Sequence, residues 1–524
     1  MKIEIKKNYL FIVIFSGIIL RLFYLFFKTG DYTKINLGGD PCHHYNIAYN
    51  LSNFIGPKTD FIYSYWHRHQ DLPAVTDVYL PGFHFFSAIF LFINESFVIT
   101  RLITFVIFFL NLLLLYLICS ELKKKDIGII SIFLICFNYF HIENSTVFTS
   151  VNFTALIIQI YFYITLLTLK NNNFYYLLGL TTGYASLTFG GWQLLFIISL
   201  INIYIFEKKN YLVSLFKFFI LFISIYLSWG IYTNSYFGTP FYSNLNFYPF
   251  VESWGEMMNS TKKPNISELL IKLDYLQYIK NHFVWFIKNI VNLSLFNFPT
   301  FIFFLSFLFL PLVIYGAIKL KILGYYIAIF SILYLLGISI ASNAMDGQLW
   351  PRHYMPILPI NSILVASAII NISKLEIVKK FIIKKNFINF LIVIAFLITS
   401  CGIFYKKTFW ERDTTSFYKF GQKVKSFVPD HSKIMYGLTV QDLWCVSKRK
   451  VIMDPAFRQT KSPDRVKEEV DFYKIDYLII DLSNKIYKRD HENLDEVLEQ
   501  YKSLKLSLIY KDNNNPYYLY KIIK

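Results

Sequence analysis

Apolar runs long enough to cross a bilayer recur along this chain almost to residue 402. The pattern predicts about eleven transmembrane helices, over residues 8–27, 98–120, 127–141, 152–169, 173–189, 191–206, 211–231, 298–317, 322–341, 357–372 and 387–404. Two longer polar and aromatic stretches, 28–97 and 241–297, interrupt the series as large loops. Within the first, Pro81 to Ile93 is apolar but too short to cross, and reads as a juxtamembrane or partly inserted helix. From about residue 406 the period changes. Ile434–Gly437, Val451–Met453 and Tyr477–Ile480 are short buried-strand patterns, and Ser462–Tyr473 and Asn493–Tyr501 are helix patterns, the first opening on Ser-Pro-Asp. Leu506–Tyr510 and Tyr517–Ile522 read as a closing hairpin around Asn513-Asn514-Asn515-Pro516. The expected architecture is an α-helical polytopic membrane domain over 1–405 and a small α/β soluble domain over 406–524.

Composition agrees with that reading. Of 524 residues, 55% are hydrophobic and 16% charged, with a mean hydropathy of +0.42. The net charge of +18 would suit nucleic acid. Lysine, however, concentrates in the short connections, at 2–7, 123–125, 170, 208–209, 319–321 and 374–385. With a cytoplasmic N-terminus all of these fall on one side, as the positive-inside bias demands, so no nucleic-acid partner is expected. Both large loops and the C-terminal domain then lie outside. The N-terminal apolar run has no small-residue cleavage site and reads as an uncleaved first span. Cys119, Cys136 and Cys401 lie in or at the ends of apolar segments, as small core residues. Cys42 and Cys445 both fall outside, where a disulfide between them is open, although no CxxC or zinc spacing marks either.

The candidate chemistry gathers at the outer ends of the spans. Gly38-Gly39-Asp40-Pro41-Cys42-His43-His44-Tyr45 sets a carboxylate on a Gly/Pro turn, followed by an amphipathic pattern to Leu51 that suits a helix along the membrane surface. Arg21 sits inside the first span toward the same side, and an intramembrane arginine is a functional candidate. Asp77-Val78-Tyr79-Leu80-Pro81-Gly82-Phe83-His84 is a turn that starts an aromatic interfacial helix. Five of the ten histidines, His43, His44, His67, His69 and His84, lie in this first loop. Asp40 with His44 could contribute to a zinc or manganese site, but no His/Asp spacing there matches a known geometry, so a divalent metal is a candidate cofactor only.

Taken in order, these stretches resemble the C-type membrane glycosyltransferases, in particular the dolichyl-phosphate-mannose-protein mannosyltransferase-like group. That group carries an acidic residue and a Tyr/Ala-containing helix after its first span, then a Tyr-Pro-Pro-like turn. Here the turn reads Tyr79-Leu80-Pro81-Gly82, with Leu80 in place of the first proline. Asn234-Ser235-Tyr236-Phe237-Gly238-Thr239-Pro240 resembles an Asn-x-x-x-Phe-Gly-x-Pro segment, one residue shorter. Arg352-His353-Tyr354-Met355-Pro356-Ile357-Leu358-Pro359 resembles an Arg-Tyr-x-x-Pro-x-x-Pro stretch, with His353 inserted. The resemblance covers essentially the whole chain. It implies a polyprenyl-phosphate-linked sugar donor and an inverting transfer to a lipid, glycan or protein acceptor on the outer membrane face. Asp40 would be the general base. Arg352, with His353, Tyr354 and Arg21, would bind the donor phosphate. His43, His44, Tyr45, Asp77, Tyr79, His84 and Asn234 would line the substrate site. A second acidic residue is common in the group; Glu143 is the substitute here, since Val151-Asn152-Phe153-Thr154 stands where an aspartate is often found.

Two other readings compete. An oligosaccharyltransferase usually carries a Trp-Trp-Asp motif in its soluble domain, and Gln441-Asp442-Leu443-Trp444, the nearest feature, does not match it. A transporter or flippase would show repeats and mid-membrane charges. No repeat is evident, and the unusual residues collect at the outer ends.

Overall fold

The structure, a computed structural model, describes residues 7–29, 37, 39–62, 72–76, 78–207, 210–244, 271, 274–297, 309–341, 351–374, 392–403, 414–437, 439–455, 463–482, 494–513 and 516–524. It is a helical membrane domain carrying an α/β domain at its C-terminal end.

The membrane part begins with α1 (Lys7–Thr29), then α2 (Asp40–Ser52) and α3 (Gly82–Ile93). The bundle continues with α4 (Phe97–Glu121), α5 (Lys125–Cys136), α6 (Tyr139–Ser145), α7 (Val151–Thr168), α8 (Tyr175–Ser186), α9 (Trp192–Phe206) and α10 (Tyr211–Phe237). It closes with α11 (Tyr275–Asn297), α12 (Phe309–Leu320), α13 (Ile322–Ala341), a 3-10 segment (Pro351–Ile357), α14 (Leu358–Ser373) and α15 (Ile392–Ile403). Within the described residues, a helix stands in each segment expected to span. Among the described residues six helices are long and apolar enough to cross alone, and the α5–α6 pair makes a seventh. Large apolar side chains on α10, including Leu212, Phe216 and Ile231, stay exposed, as a lipid-facing surface requires. α8 and α10 approach so closely that a Cβ at Gly179 would run into the Phe218 carbonyl.

Three expectations change. The span at 127–141 is broken, with α5 and α6 meeting at 74°. Asn138 causes the restart: its side chain accepts a hydrogen bond from His141 N at 2.8 Å and caps the new helix. The loop at 241–297 ends in a helix, α11. Ile279, Phe283 and Ile287 are exposed on one side while Asn289 is buried on the other. Its apolar face looks out, which reads as polar loop when polarity alone is scored. Finally, α2 does not lie on a surface. Most of it, from Pro41 to Ala48 and at Asn50 and Ser52, is buried.

The C-terminal domain explains that burial. It comprises α16 (Thr414–Phe427), β4 (Lys433–Tyr436), α17 (Val440–Ser447), β5 (Lys450–Met453), α18 (Pro463–Tyr473), β6 (Tyr477–Asp481), α19 (Leu494–Glu499), β7 (Lys505–Lys511) and β8 (Tyr517–Ile523). The first loop adds β1 (Lys58–Thr59), β2 (Phe61–Ile62) and β3 (Ala74–Val75). β1 and β3 pair as a small antiparallel clasp. β2 crosses over and joins the C-terminal sheet, parallel to β5 with Phe61 opposite Val451. The six-stranded order is β2-β5-β4-β6-β8-β7, with β5, β4 and β6 parallel and the β8–β7 hairpin antiparallel. The central strands are near-continuous apolar runs, Ile434, Met435, Ile452 and Leu478 being fully buried. α2 is thus packed between α3 of the membrane part and α17 of this domain.

Candidate active site

Asp40 opens α2. Gly39 takes the N-cap at φ +84°, a left-handed conformation that favours glycine, and Pro41 supplies a φ already suited to the first turn. An acidic side chain there also complements the partial positive charge of the helix N-terminus. The Gly39 amide donates to Asp442 Oδ1 of the C-terminal domain at 2.9 Å.

Three hundred and twelve residues later in sequence, Arg352 Nη1 meets Asp40 Oδ2 as an ion pair. The other oxygen, Oδ1, accepts a hydrogen bond from the Tyr79 hydroxyl at 2.8 Å. The pair remains open to its surroundings, with 28% of the Asp40 side chain and 40% of the Arg352 side chain exposed. Folding therefore brings together Asp40, Tyr79 and Arg352 from three of the stretches singled out in the sequence. The 3-10 segment that carries Arg352 is pinned from behind. Tyr354 buries its ring and donates to Asn289 Oδ1 of α11 at 2.7 Å, and the His353 carbonyl accepts from Tyr334 at 3.2 Å.

The histidines form the wall behind Tyr79. His43 sets its edge against Tyr79 at 4.7 Å between ring centroids and against Phe61 at 4.8 Å. His44 lies 4.3 Å from Tyr79, and its Nδ1 shares a hydrogen bond with His84 Nε2 at 2.8 Å. One ring must donate and the other accept, so the two neutral imidazoles hold complementary tautomers. His43, His44 and His84 are all buried. Burial holds His43 near a pKa of about 3, against the field of Asp40, and holds His44 well below the usual imidazole value. These rings stay uncharged at neutral pH and orient Tyr79.

His44 is committed to His84, whereas Asp40 faces Arg352 and Tyr79. Among the described residues no cluster of three or more His, Cys, Asp or Glu side chains is arranged to hold an ion. His67, His69 and Asp77 lie outside the described residues.

Several other expected site residues are placed elsewhere. Arg21 is fully buried. It donates to Ser145 Oγ at 2.8 Å, to the carbonyls of Gly17 and Cys136, and pairs with His141 Nδ1 at 2.8 Å. Its guanidinium also lies 3.6 Å over the Phe108 ring. It clamps the α5–α6 break instead of facing a donor phosphate. Tyr354 is the pin already described, not an open phosphate ligand. Tyr45 is buried, its hydroxyl on the Glu95 carbonyl and its ring 6.0 Å from Trp444, in the domain junction. Asn234 is exposed, and its carbonyl accepts from Gly238 N at 2.9 Å, where φ of +64° ends α10. The Phe-Gly-x-Pro segment is a helix stop. Glu143 stands on α6, which packs against the Arg352 segment, and accepts from Tyr24 at 3.1 Å. Sequence reasoning overlooked Lys448 and Phe61, whose local pattern announces no role, and weighed Trp444 only as part of the Gln441-Asp442-Leu443-Trp444 stretch.

No family model and no curated protein matches the chain. Solved structures do. An oligosaccharyltransferase from Archaeoglobus fulgidus, in complex with zinc and sulfate, superposes with a TM-score of 0.60 at 14% identity, covering 96% of this chain and 72% of that one. ArnT from Cupriavidus metallidurans in its apo state gives 0.59 at 9% identity, covering 98% of this chain and 97% of that one. The same protein bound to undecaprenyl phosphate gives 0.59 at 10%, with 98% of each chain covered. The shared property is the fold, that of the C-type membrane glycosyltransferases with a C-terminal α/β domain. At these identities the likeness does not extend to a sugar or an acceptor.

Proposed function

We propose that this chain is an inverting glycosyltransferase that moves a sugar from a polyprenyl-phosphate-linked donor to an acceptor at the outer membrane face. The observation that carries the reading is the half-open Asp40–Arg352 pair at the N-terminus of α2, with Tyr79 on the remaining carboxylate oxygen. Two solved neighbours support the donor class: ArnT with undecaprenyl phosphate, and the archaeal oligosaccharyltransferase AglB with an inhibitory peptide and a dolichol-phosphate. The Asp-Tyr-Arg order along the chain supports the mannosyltransferase-like group over the oligosaccharyltransferases, whose Trp-Trp-Asp motif has no counterpart here.

The geometry suggests how donor and base are coupled. Arg352 neutralises Asp40 before substrate binds. A donor phosphate competes for the guanidinium, because phosphate oxygens match its planar fork. As Arg352 turns to the phosphate, the Asp40 carboxylate is released toward the acceptor. The acceptor hydroxyl attacks the anomeric carbon and gives its proton to Asp40. The bond from that carbon to the phosphate oxygen breaks, and the lipid phosphate leaves with the electron pair, its charge held by Arg352. Tyr79 keeps the carboxylate oriented throughout. A cytoplasmic N-terminus, with the first loop and C-terminal domain outside, fits the lysine distribution.

The test is sugar transfer by purified protein from a panel of polyprenyl-phosphate sugars, wild type beside Asp40→Asn. The variant keeps the size of the side chain and one of its two acceptor oxygens, so it should fold normally and lose about 10²–10⁴-fold in turnover. Full activity in Asp40→Asn would remove the base from the mechanism.

A further inference from the structure

Lys448 ends α17 in a left-handed conformation, φ +56°. Its ammonium is buried and has no hydrogen-bond partner among the described residues. A buried, unpaired cation is costly unless something replaces its hydration. Here four aromatic rings do so. Trp444 lies 3.9 Å from Nζ to its centroid, Tyr45 4.6 Å, Phe97 5.0 Å and Tyr49 5.5 Å. Trp444 belongs to α17 of the C-terminal domain. The other three belong to the membrane part, Tyr45 and Tyr49 on α2 and Phe97 at the start of α4. The cation of the C-terminal domain is held between one ring of its own helix and three rings of the membrane part.

The same face of α2 carries two more contacts in register. Gly39 N donates to Asp442 Oδ1 at 2.9 Å, and the Cys42 thiol is within hydrogen-bonding reach of Cys445. Both cysteines are buried and free. Burial, then Cys445 and Asp442, push the Cys42 thiol well above its ordinary value, so it stays protonated and unreactive while the domains are docked.

We propose that Lys448 is a latch: its caged ammonium locks the C-terminal domain onto α2, and through Gly39 and the helix that follows it makes Lys448 a positioning residue for Asp40. The positioning half rests on the proposed transferase reading; the latch itself does not. Cation–π contacts gain strength when desolvated, and Lys448 has several at once.

The full-length protein in detergent is treated with N-ethylmaleimide, and alkylation of Cys42, Cys445 and Cys119 is followed by mass spectrometry. Cys119 is buried within the membrane part and reports any general unfolding. In Lys448→Met, which keeps the aliphatic stem and loses the charge, Cys42 and Cys445 should be alkylated at least about tenfold faster, with Cys119 unchanged. Lys448→Arg, which keeps a cation, should retain the protection. Transfer by Lys448→Met should fall severalfold in turnover with the donor KM unchanged, because donor contacts are intact while Asp40 is displaced. Wild-type alkylation rates in Lys448→Met would overturn the latch. Faster alkylation with wild-type turnover would overturn the positioning role. If wild-type protein moves no sugar from any polyprenyl-phosphate donor, the transferase reading falls, and the alkylation rates decide the latch alone.

Discussion

Arg21 and Arg352 both sit in the membrane part, and both are candidates for the same phosphate when only the sequence is read. The structure separates them. Arg21 is sealed inside the bundle, and its guanidinium is divided among Ser145, His141 and the carbonyls of Gly17 and Cys136. Arg352 stands in a pinned 3-10 turn, with 40% of its side chain exposed and an ion pair to the half-open Asp40 carboxylate. The first is a structural clamp whose cost of burial is met by hydrogen bonds and by the face of Phe108. The second is a pair that an incoming anion can rearrange. An intramembrane arginine marks a substrate site only where its charge can be exchanged.

That contrast can be broken most sharply at Arg21. Arg21→Met would leave Ser145, His141 and the Cys136 carbonyl without their donor at the helix break. The expected loss is roughly 2–4 kcal/mol of stability, read as a lowered thermal midpoint in detergent, with donor KM unchanged in the folded fraction. A raised donor KM at wild-type stability would return Arg21 to the substrate site.

Arg352→Gln makes the opposite demand. Charge-assisted hydrogen bonds contribute about 1.5–3 kcal/mol, so kcat/KM should fall about 10–100-fold. The thermal midpoint should barely move, because a half-exposed pair contributes little to stability. Unfolding as severe as that of Arg21→Met would show that Arg352 is another clamp.

The same division governs what was legible in the sequence. The spans were visible because length and apolarity are strong signals, and the parallel strands because β4, β5 and β6 are short apolar runs between helical patterns. The bend at Asn138 was not, since a cap inside an apolar run leaves composition unchanged. α11 was missed because its apolar face looks outward while Asn289 and His282 turn inward. At the site, Asp40, Tyr79 and Arg352 each lay in a recognisable turn, so their stretches could be named. Tyr45 and Tyr354 shared those stretches, and Arg21 lay in the span before the first of them, but all three face other partners, and sequence proximity does not state where a side chain points. Nor could any local pattern reveal that Phe61 joins a strand nearly four hundred residues away, at Val451, or that Lys448 enters a cage built by α2.

The smallest effect should come from Tyr79, and it tests how the open pair is held. Tyr79 donates to Asp40 Oδ1 at 2.8 Å while His43 and His44 support its ring. Tyr79→Phe keeps the ring and its packing and removes one hydrogen bond to a carboxylate. The loss should be about 1 kcal/mol, or roughly fivefold in turnover. It should appear in kcat and not in donor KM, since the substitution leaves the Arg352 guanidinium unchanged. Arg21→Met has no equivalent effect on turnover, because it leaves the proton acceptor untouched. A Tyr79→Phe turnover identical to wild type would mean that the Tyr79 hydroxyl does not hold Asp40 for the reaction, and that the histidine wall supports a ring with no part in it.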